Sequence, residues 1–410
     1  MWLTQRLSPC FKTIAEFRRV HATAIVGVCR SFTRFCRDLD LIGNELLAID
    51  GTKIQAVASR KQVMTPKRIA KMTAAIDAKI AGAKIADAEI ADAQVTDAKI
   101  TDYLADMDKT DAVEEAEAES NGKENATLDV KAALAALKDR RAELQALASD
   151  FENNKTKQKV MTEPDARLMR TANHGYQVAY NAQSVVDSKH KLIVAFDLVN
   201  DGNDQQQLHA MAQQGKQAVG AKTITVVADA GYSSGKQAAN CAADGITAIV
   251  PRPQIVNPKG KQYFPRDAFS YDKDSDTWTC PAKQTLVLTR TSKTEARYQY
   301  QTPACGQCPL KAQCTSAERR TILRHFDDDA REAMHQRAIE DPKWMIQRRS
   351  LVEHPFAGIK WLMGHPRFLL RGLKKAKSEL ALSIMAYNLK RMITILGAKA
   401  ILKALSPNPA

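Results

Sequence analysis

The sequence predicts an α/β core interrupted by a long helical-hairpin (coiled-coil) insertion and a small Cys-rich β insert, with a helical C-terminal part. Three observations carry this prediction. Strand-like apolar runs occur at LLAIDGTKIQAV (46–57) and again as GYQVAYNAQSVVD, KLIVAFDLV, TITVVADAGYSS and GITAIVPRP over 175–251, with a helix-like segment, Asp204 to Val219, between the second and third of these four. An Ala-rich, low-complexity region separates the first run from the others. Four of the eight cysteines, Cys280, Cys305, Cys308 and Cys314, cluster within a stretch of short strand-like segments.

Taken in order, residues 1–44 read as helical. Phe11, Ile14 and Phe17, then Ile25, Val28, Phe32 and Phe35, recur three or four positions apart. Residues 45–60 hold the first core strand. Residues 61–160 form the insertion, where Ile80, Ile85, Ile90, Val95 and Ile100 recur every five residues. Five residues advance about 500° around a helix, so this stripe never settles on one face. About five copies are too few to stack as a β-helix, and Ala-rich sequence without Pro favours one long helix over 65–110. Asp111 to Ala126 reads as an acidic, solvated tip, and Leu134, Leu137, Leu144, Leu147 and Phe151 as the returning arm, a structural spacer. Residues 161–253 supply the core sheet, 254–325 the Cys-rich insert and 326–410 the closing helices, with breaks at GHP (364–366) and GLK (372–374).

At 410 residues the chain has room for two or three domains, and 44% apolar with 26% charged residues is a globular composition. Sixty Lys and Arg against forty-six Asp and Glu leave a net charge of +14. That balance suits a polyanionic partner, or simply a soluble basic protein. No stretch spans a bilayer: the longest apolar segment, Leu380 to Leu396, is broken by Lys390 and Arg391. Without a secretory leader pattern at the start, a cytoplasmic location is expected, and clustered cysteines in a reducing compartment suggest metal before disulfide.

Asp50 and Asp229 stand in matching contexts, each closing an apolar strand and each meeting a Gly within two residues. A carboxylate there can hold a hard divalent cation at the carboxyl end of a strand, or it can cap a turn. A third acid, Glu353, is the single carboxylate among nine basic residues between Lys343 and Lys377. On a helix it shares a face with Arg349, four residues before, and Lys360, seven after, although Pro355 makes the phase uncertain. This pattern fits a surface ion pair with Arg349 or a cation-binding Glu flanked by phosphate clamps.

The segments LLAIDGTKIQAVAS, GYQVAYNAQSVVD, VVADAGYSS and RRSLVEHPFAGIKWLMG, in this order, resemble the catalytic core of bacterial DDE-type insertion-sequence transposases. The last fits their signature of Arg, three residues, Glu, six residues and Lys at Arg349, Glu353 and Lys360. The resemblance implies an RNase H-like fold in which Asp50, Asp229 and Glu353 hold two Mg²⁺ or Mn²⁺ ions for strand cleavage and strand transfer. Arg349 and Lys360 would bind DNA phosphates, and Tyr232 would position its loop, stack near a DNA end, or simply pack. Double-stranded DNA, as element terminal repeats and as target, is the implied partner, with a homodimer in a nucleoid-associated synaptic complex.

Two departures stand out. Ile346 occupies the place where related elements often carry a Tyr, and a further N-terminal helical region common in the family is expected to be missing. An inactive DNA-binding remnant and an RNase H-like nuclease are therefore the alternatives. In the insert, Cys280, Cys305, Cys308 and Cys314 match the donor number of a tetrahedral Zn²⁺, with free thiols or a redox role as the other readings. Lys283, Arg290, Lys293, Arg297, Lys311, Arg319 and Arg320 surround them, which suits contact with a DNA backbone. His174, His209, His325 and His354 form no comparable set.

Overall fold

Helices α1 (Phe11–Val20) and α2 (Ala22–Asp38) lead into the central strand β1 (Leu46–Gln55). The insertion begins with β2 (Val63–Met64) and α3 (Pro66–Asp92) and returns through α4 (Val130–Asn154) and β3 (Lys159–Val160). Then follow β4 (Arg167–Thr171), β5 (Gly175–Asp187), β6 (Ile193–Val199), α5 (Leu208–Val219), β7 (Ile224–Val227), α6 (Gly235–Ala243) and β8 (Ile246–Ile249). The insert contributes β9 (Ser270–Asp272), β10 (Thr277–Thr279), β11 (Thr285–Ser292), β12 (Arg297–Gln301), the short α7 (Lys311–Cys314) and β13 (Ile322–His325). The chain closes with α8 (Asp328–Glu340), α9 (Lys343–Leu362), α10 (Leu373–Leu396) and α11 (Ala398–Leu405). This computed structural model describes residues 8–92, 130–154, 157–171, 175–253, 263–362, 364 and 367–405. The remainder of the expected 65–110 helix and the acidic tip at Asp111 to Ala126 lie outside the described residues.

The chain divides into two units, residues 1–60 with 163–410 and residues 61–162. In the first, β1 is the spine of a six-stranded sheet. It runs antiparallel to β5, with Asp50 opposite Ser184, and parallel to β7, with Ala48 opposite Val227. β8 extends the parallel side, while β6 and β4 share the far edge of β5. Side-chain alternation dresses the sheet on both faces. Leu47, Ile49 and Val185 bury against Leu208, Met211 and Ala212 of α5; Ala48, Val227 and Ile249 pack with Ala338 of α8 and Leu351 and Val352 of α9. Helix α2 lies along α10, where Ile25 and Cys29 meet Ala381.

The expected Asp204 to Val219 helix starts four residues late, because the Asp204 carboxylate is engaged elsewhere and its carbonyl instead closes a turn with the Gln207 N–H. Strand β1 likewise continues five residues past Asp50, since β5 still pairs it after β7 has ended. The insert folds as a five-stranded antiparallel sheet, β13-β12-β11-β10-β9, over its own core of Phe269, Trp278, Leu286, Tyr300 and Ile322.

In the second unit, α3 and α4 run antiparallel. Val63 pairs with Val160 at one end, and Asp77 forms an ion pair with Arg141 farther along. Met64, Ile69, Ile76, Leu144 and Phe151 make the seam, backed by Leu137 and Leu147.

At the start of α6, a Cβ on Gly235 would stand 2.6 Å from the Asp327 backbone oxygen, a contact that only backbone movement can relieve. Gly235→Ala is expected to lower the urea midpoint by the equivalent of about 1 to 3 kcal/mol, whereas Gly202→Ala, with open space around it, leaves the midpoint in place.

Candidate functional site

Register places two carboxylates side by side. Ala48 pairs with Val227, and Asp50 and Asp229 each follow two residues later, beyond the last rung of the β1–β7 ladder. Residues two apart share a face, and neighbouring strands lie about 4.8 Å apart, so both acids emerge just beyond the point where β1 and β7 stop pairing, Asp50 in mid-strand and Asp229 after the end of β7. Asp229 also caps the short helical turn Ala230–Tyr232, its Oδ1 accepting from the Gly231 N–H at 2.8 Å.

Helix α9 brings a cation to this pair. Leu351 and Val352 are buried against the sheet, which turns the residue three and four positions earlier, Arg348, toward the same surface. Arg348 Nη2 donates to Asp50 Oδ1 at 2.6 Å and lies 3.5 Å from Asp229 Oδ2. Its Nε is buried without a partner, so the guanidinium fork is only partly used. The Asp50 side chain is 19% exposed. Burial pushes its carboxyl up to about 6; Arg348 opposes this, and the negative charges of Asp229 and Asp204 reinforce it.

Asp204, in the loop before α5, is the third carboxylate at this end of the sheet. Its Oδ1 accepts from Asn181 Nδ2 at 2.6 Å and from Gln183 Nε2 at 2.7 Å, and Lys53 Nζ is 3.4 Å away. Gln183 Oε1 in turn accepts from the Tyr232 hydroxyl. Gly51 leaves the space that these groups occupy: a Cβ there would clash with Gln183 Nε2 and stand 2.9 Å from Asp204 Oδ1. A Cβ on Gly231 would fall 2.9 Å from Asp229 Oδ1 and 3.8 Å from Asp204 Oδ2, so those two carboxylates border one small cradle.

The residues expected from sequence are distributed unevenly about this cluster. Asp50 and Asp229 meet through Arg348. Tyr232 is fully buried, which places it beneath the loop as a support and away from any DNA surface; burial first, then the nearby carboxylates, drive its phenol well above the usual range. Glu353 and Arg349 lie on the exposed side of α9, and Lys360 is half-buried. Among the described residues, no side-chain hydrogen bond or ion pair reaches any of these three. The surface ion pair between Arg349 and Glu353 is thus not formed. α9 runs unbroken through Pro355, so the phase across that residue is continuous. The spacing pattern marks Arg349, not Arg348; the apolar pair Leu351 and Val352 is the sequence signal that the inward arginine is the earlier one.

In the insert, Cys280, Cys305, Cys308 and Cys314 line one small cavity with Phe264, Phe269 and Leu286. All eight cysteines are free thiols. Burial pushes the Cys314 thiol up, Arg320 opposes this, and the other three cysteines add to the rise.

As the side chains stand, no group of three or more His, Cys, Asp or Glu among the described residues is set to hold a metal ion. The donor chemistry nevertheless fits. Hard carboxylate oxygens of Asp50, Asp229 and Asp204 gather at one end of the sheet, with Arg348 supplying the positive charge between the first two. Four soft thiols share the other location.

Residues 279–393 match the family model described as the transposase DDE domain. Over this segment the chain is similar to DDE-type transposases. The matched segment covers most of the insert from β10 onward and runs through α8 and α9 into α10, so it contains Arg348, Arg349, Glu353 and Lys360, while Asp50 and Asp229 precede it. A piggyBac transposase, solved as a synaptic complex with hairpin DNA, aligns at 10% identity over 60% of this chain and 55% of that chain, with a TM-score of 0.19. No curated protein matches. No helix among the described residues is long and apolar enough to cross a membrane.

The Asp50 carboxyl is expected to titrate near pH 6 against an ordinary value of 3.8, and Arg348→Ala to raise that midpoint further by removing the opposing cation. The folded protein holds this proton more tightly than the unfolded chain. The contribution of Asp50 to stability therefore falls as pH rises from about 3.8 through about 6, by on the order of 3 kcal/mol at most. Urea midpoints at the two ends of that window, compared between wild type and Asp50→Asn, read this fall as a loss confined to wild type.

Proposed function

We propose that the chain is a transposase that cuts DNA at the ends of its insertion sequence in a divalent-cation-dependent reaction and joins the freed ends to target DNA. The observation that carries this reading is the approach of Asp50 and Asp229, bridged by Arg348, just beyond the last pair of the parallel β1–β7 ladder. The sheet order supports it: β6, β5 and β1 are antiparallel, and β7 and β8 then run parallel to β1, which is the order expected of an RNase H-like core. The +14 charge supports a polyanionic partner, double-stranded DNA as element end and as target.

In this reading Asp50 and Asp229, joined by Glu353 once α9 turns it inward from its exposed side, would hold two Mg²⁺ or Mn²⁺ ions. When bound, such ions supply positive charge to the attacking and departing oxygens of phosphodiester transfer. The protein's own part is to gather and orient. Asp50 gives up its proton, Arg348 releases the carboxylates it now bridges, and the partly used guanidinium is left free to take a phosphate oxygen. Arg349 offers a bidentate fork and Lys360 a point charge to phosphates beside the cut strand. Water cleaves the strand at the element end, and the freed 3′ hydroxyl attacks a target phosphate within a homodimeric synaptic complex. The four insert thiols would hold one structural Zn²⁺, closing a domain with few core residues of its own.

Asp50→Ala, Asp229→Ala and Glu353→Ala are each expected to abolish Mg²⁺-dependent cleavage of an end-bearing duplex while gel retention of that duplex persists. An active Glu353→Ala would remove Glu353 from the site, and ends that are hydrolysed but never joined would mark a nuclease instead. For the insert, elemental analysis is expected to find one zinc per chain, lost in Cys305→Ser/Cys308→Ser together with a drop in melting temperature; a metal-free wild type of equal stability would refute the zinc site.

A further inference from the structure

We propose that Asp204 is a positioning residue for Asp229, acting through Gln183 and Tyr232 to fix the turn on which Asp229 stands. The argument is one of hydrogen-bond polarity. An ionised carboxylate only accepts, whereas a glutamine amide has one donating and one accepting end. Because Asp204 Oδ1 takes the Gln183 Nε2–H at 2.7 Å, the amide must present Oε1 on its other side, and there the Tyr232 hydroxyl donates to it. Tyr232 has no exposure and Gln183 is 1% exposed, so water does not compete at either link. The end of the chain is the site itself: the Tyr232 N–H donates to the Asp229 carbonyl at 3.1 Å, and the Gly231 N–H to Asp229 Oδ1 at 2.8 Å.

The anchor is held from three sides. Asn181 Nδ2 donates to Asp204 at 2.6 Å, Lys53 supplies the countercharge at 3.4 Å, and Gly51, having no Cβ, leaves the space in which the Gln183 amide meets Asp204. Asn181 and Gln183 lie two apart on β5 and so face the same way, opposite Lys53 and Gly51 of β1. A loop residue before α5 thereby dictates which way two buried side chains point, and through them where a strand-end carboxylate sits. The catalytic consequence rests on the transposase reading; the relay itself does not.

The test exchanges the polarity and then restores it, in the full chain. Asp204→Asn can donate as well as accept, so it no longer dictates the Gln183 orientation. In Asp204→Asn/Gln183→Glu the amide and carboxylate trade places, and the carboxylate introduced on β5 again accepts from Tyr232. Ultraviolet resonance Raman spectra report whether a tyrosine hydroxyl donates, with Tyr232→Phe identifying the band. The expected result is that Asp204→Asn shifts the Tyr232 band and slows Mg²⁺-dependent end cleavage on the order of tenfold to a hundredfold with DNA retention unchanged, and that the double variant recovers both. Gln183→Leu, which breaks the chain without touching either carboxylate, is expected to shift the band as Asp204→Asn does. A Tyr232 band unmoved by Asp204→Asn, or a double variant as slow as the single one, would overturn the proposal. A wild type that cuts no DNA end sinks the transposase reading, and the spectra alone then decide the relay.

Discussion

The rest of the site depends on one pairing register. Ala48 opposite Val227 sets Asp50 and Asp229 at equal heights beyond the β1–β7 ladder, and no other element is needed to bring them together. A slip of one residue would turn one of the two acids to the opposite face of the sheet. The register is protected by burial on both faces: Leu47 and Ile49 are locked against α5, and Ala48 and Val227 against α9. The hydrophobic core and the polar site are thus consecutive residues of the same strands, which couples the stability of one to the geometry of the other.

Crowding acids at a strand end is electrostatically unfavourable, and the structure manages it with two cations from different elements. Arg348 reaches down from α9 to Asp50 and Asp229, and Lys53 of β1 faces Asp204. Three carboxylates against two cations leave the cluster one charge negative, which is the electrostatic condition for taking up a further cation. Burial is the main reason the Asp50 carboxyl is elevated, and the charges of Asp229 and Asp204 add to it against Arg348. The insert solves a separate problem. Its small antiparallel sheet carries a core of five buried side chains, and its four thiols converge beside that core.

Much of this was legible in the sequence, because period and composition speak directly to local structure. The apolar runs at 46–57 and 175–251 became the sheet, and the matching contexts of Asp50 and Asp229 marked neighbouring positions on β1 and β7, although β1 runs on past Asp50 because β5 still pairs it. What stayed hidden is set by tertiary geometry. Arg348 and Arg349 are identical as letters, and only the burial of Leu351 and Val352 decides which faces inward. Asp204 reads as a helix start, yet its side chain serves β5 across the loop. Tyr232 three residues after an acid suggests a DNA contact, whereas its hydroxyl is spent on Gln183 beneath the site.

On the transposase reading, Asp50 and Asp229 form a cation site for which Arg348 is a resident substitute. Crystals of the chain soaked in Mn²⁺ and measured at the manganese absorption edge are then expected to show an anomalous peak in contact with both carboxylates, with Arg348 displaced from between them. A map with no peak there, and with the guanidinium still bridging the two aspartates at saturating Mn²⁺, would contradict it.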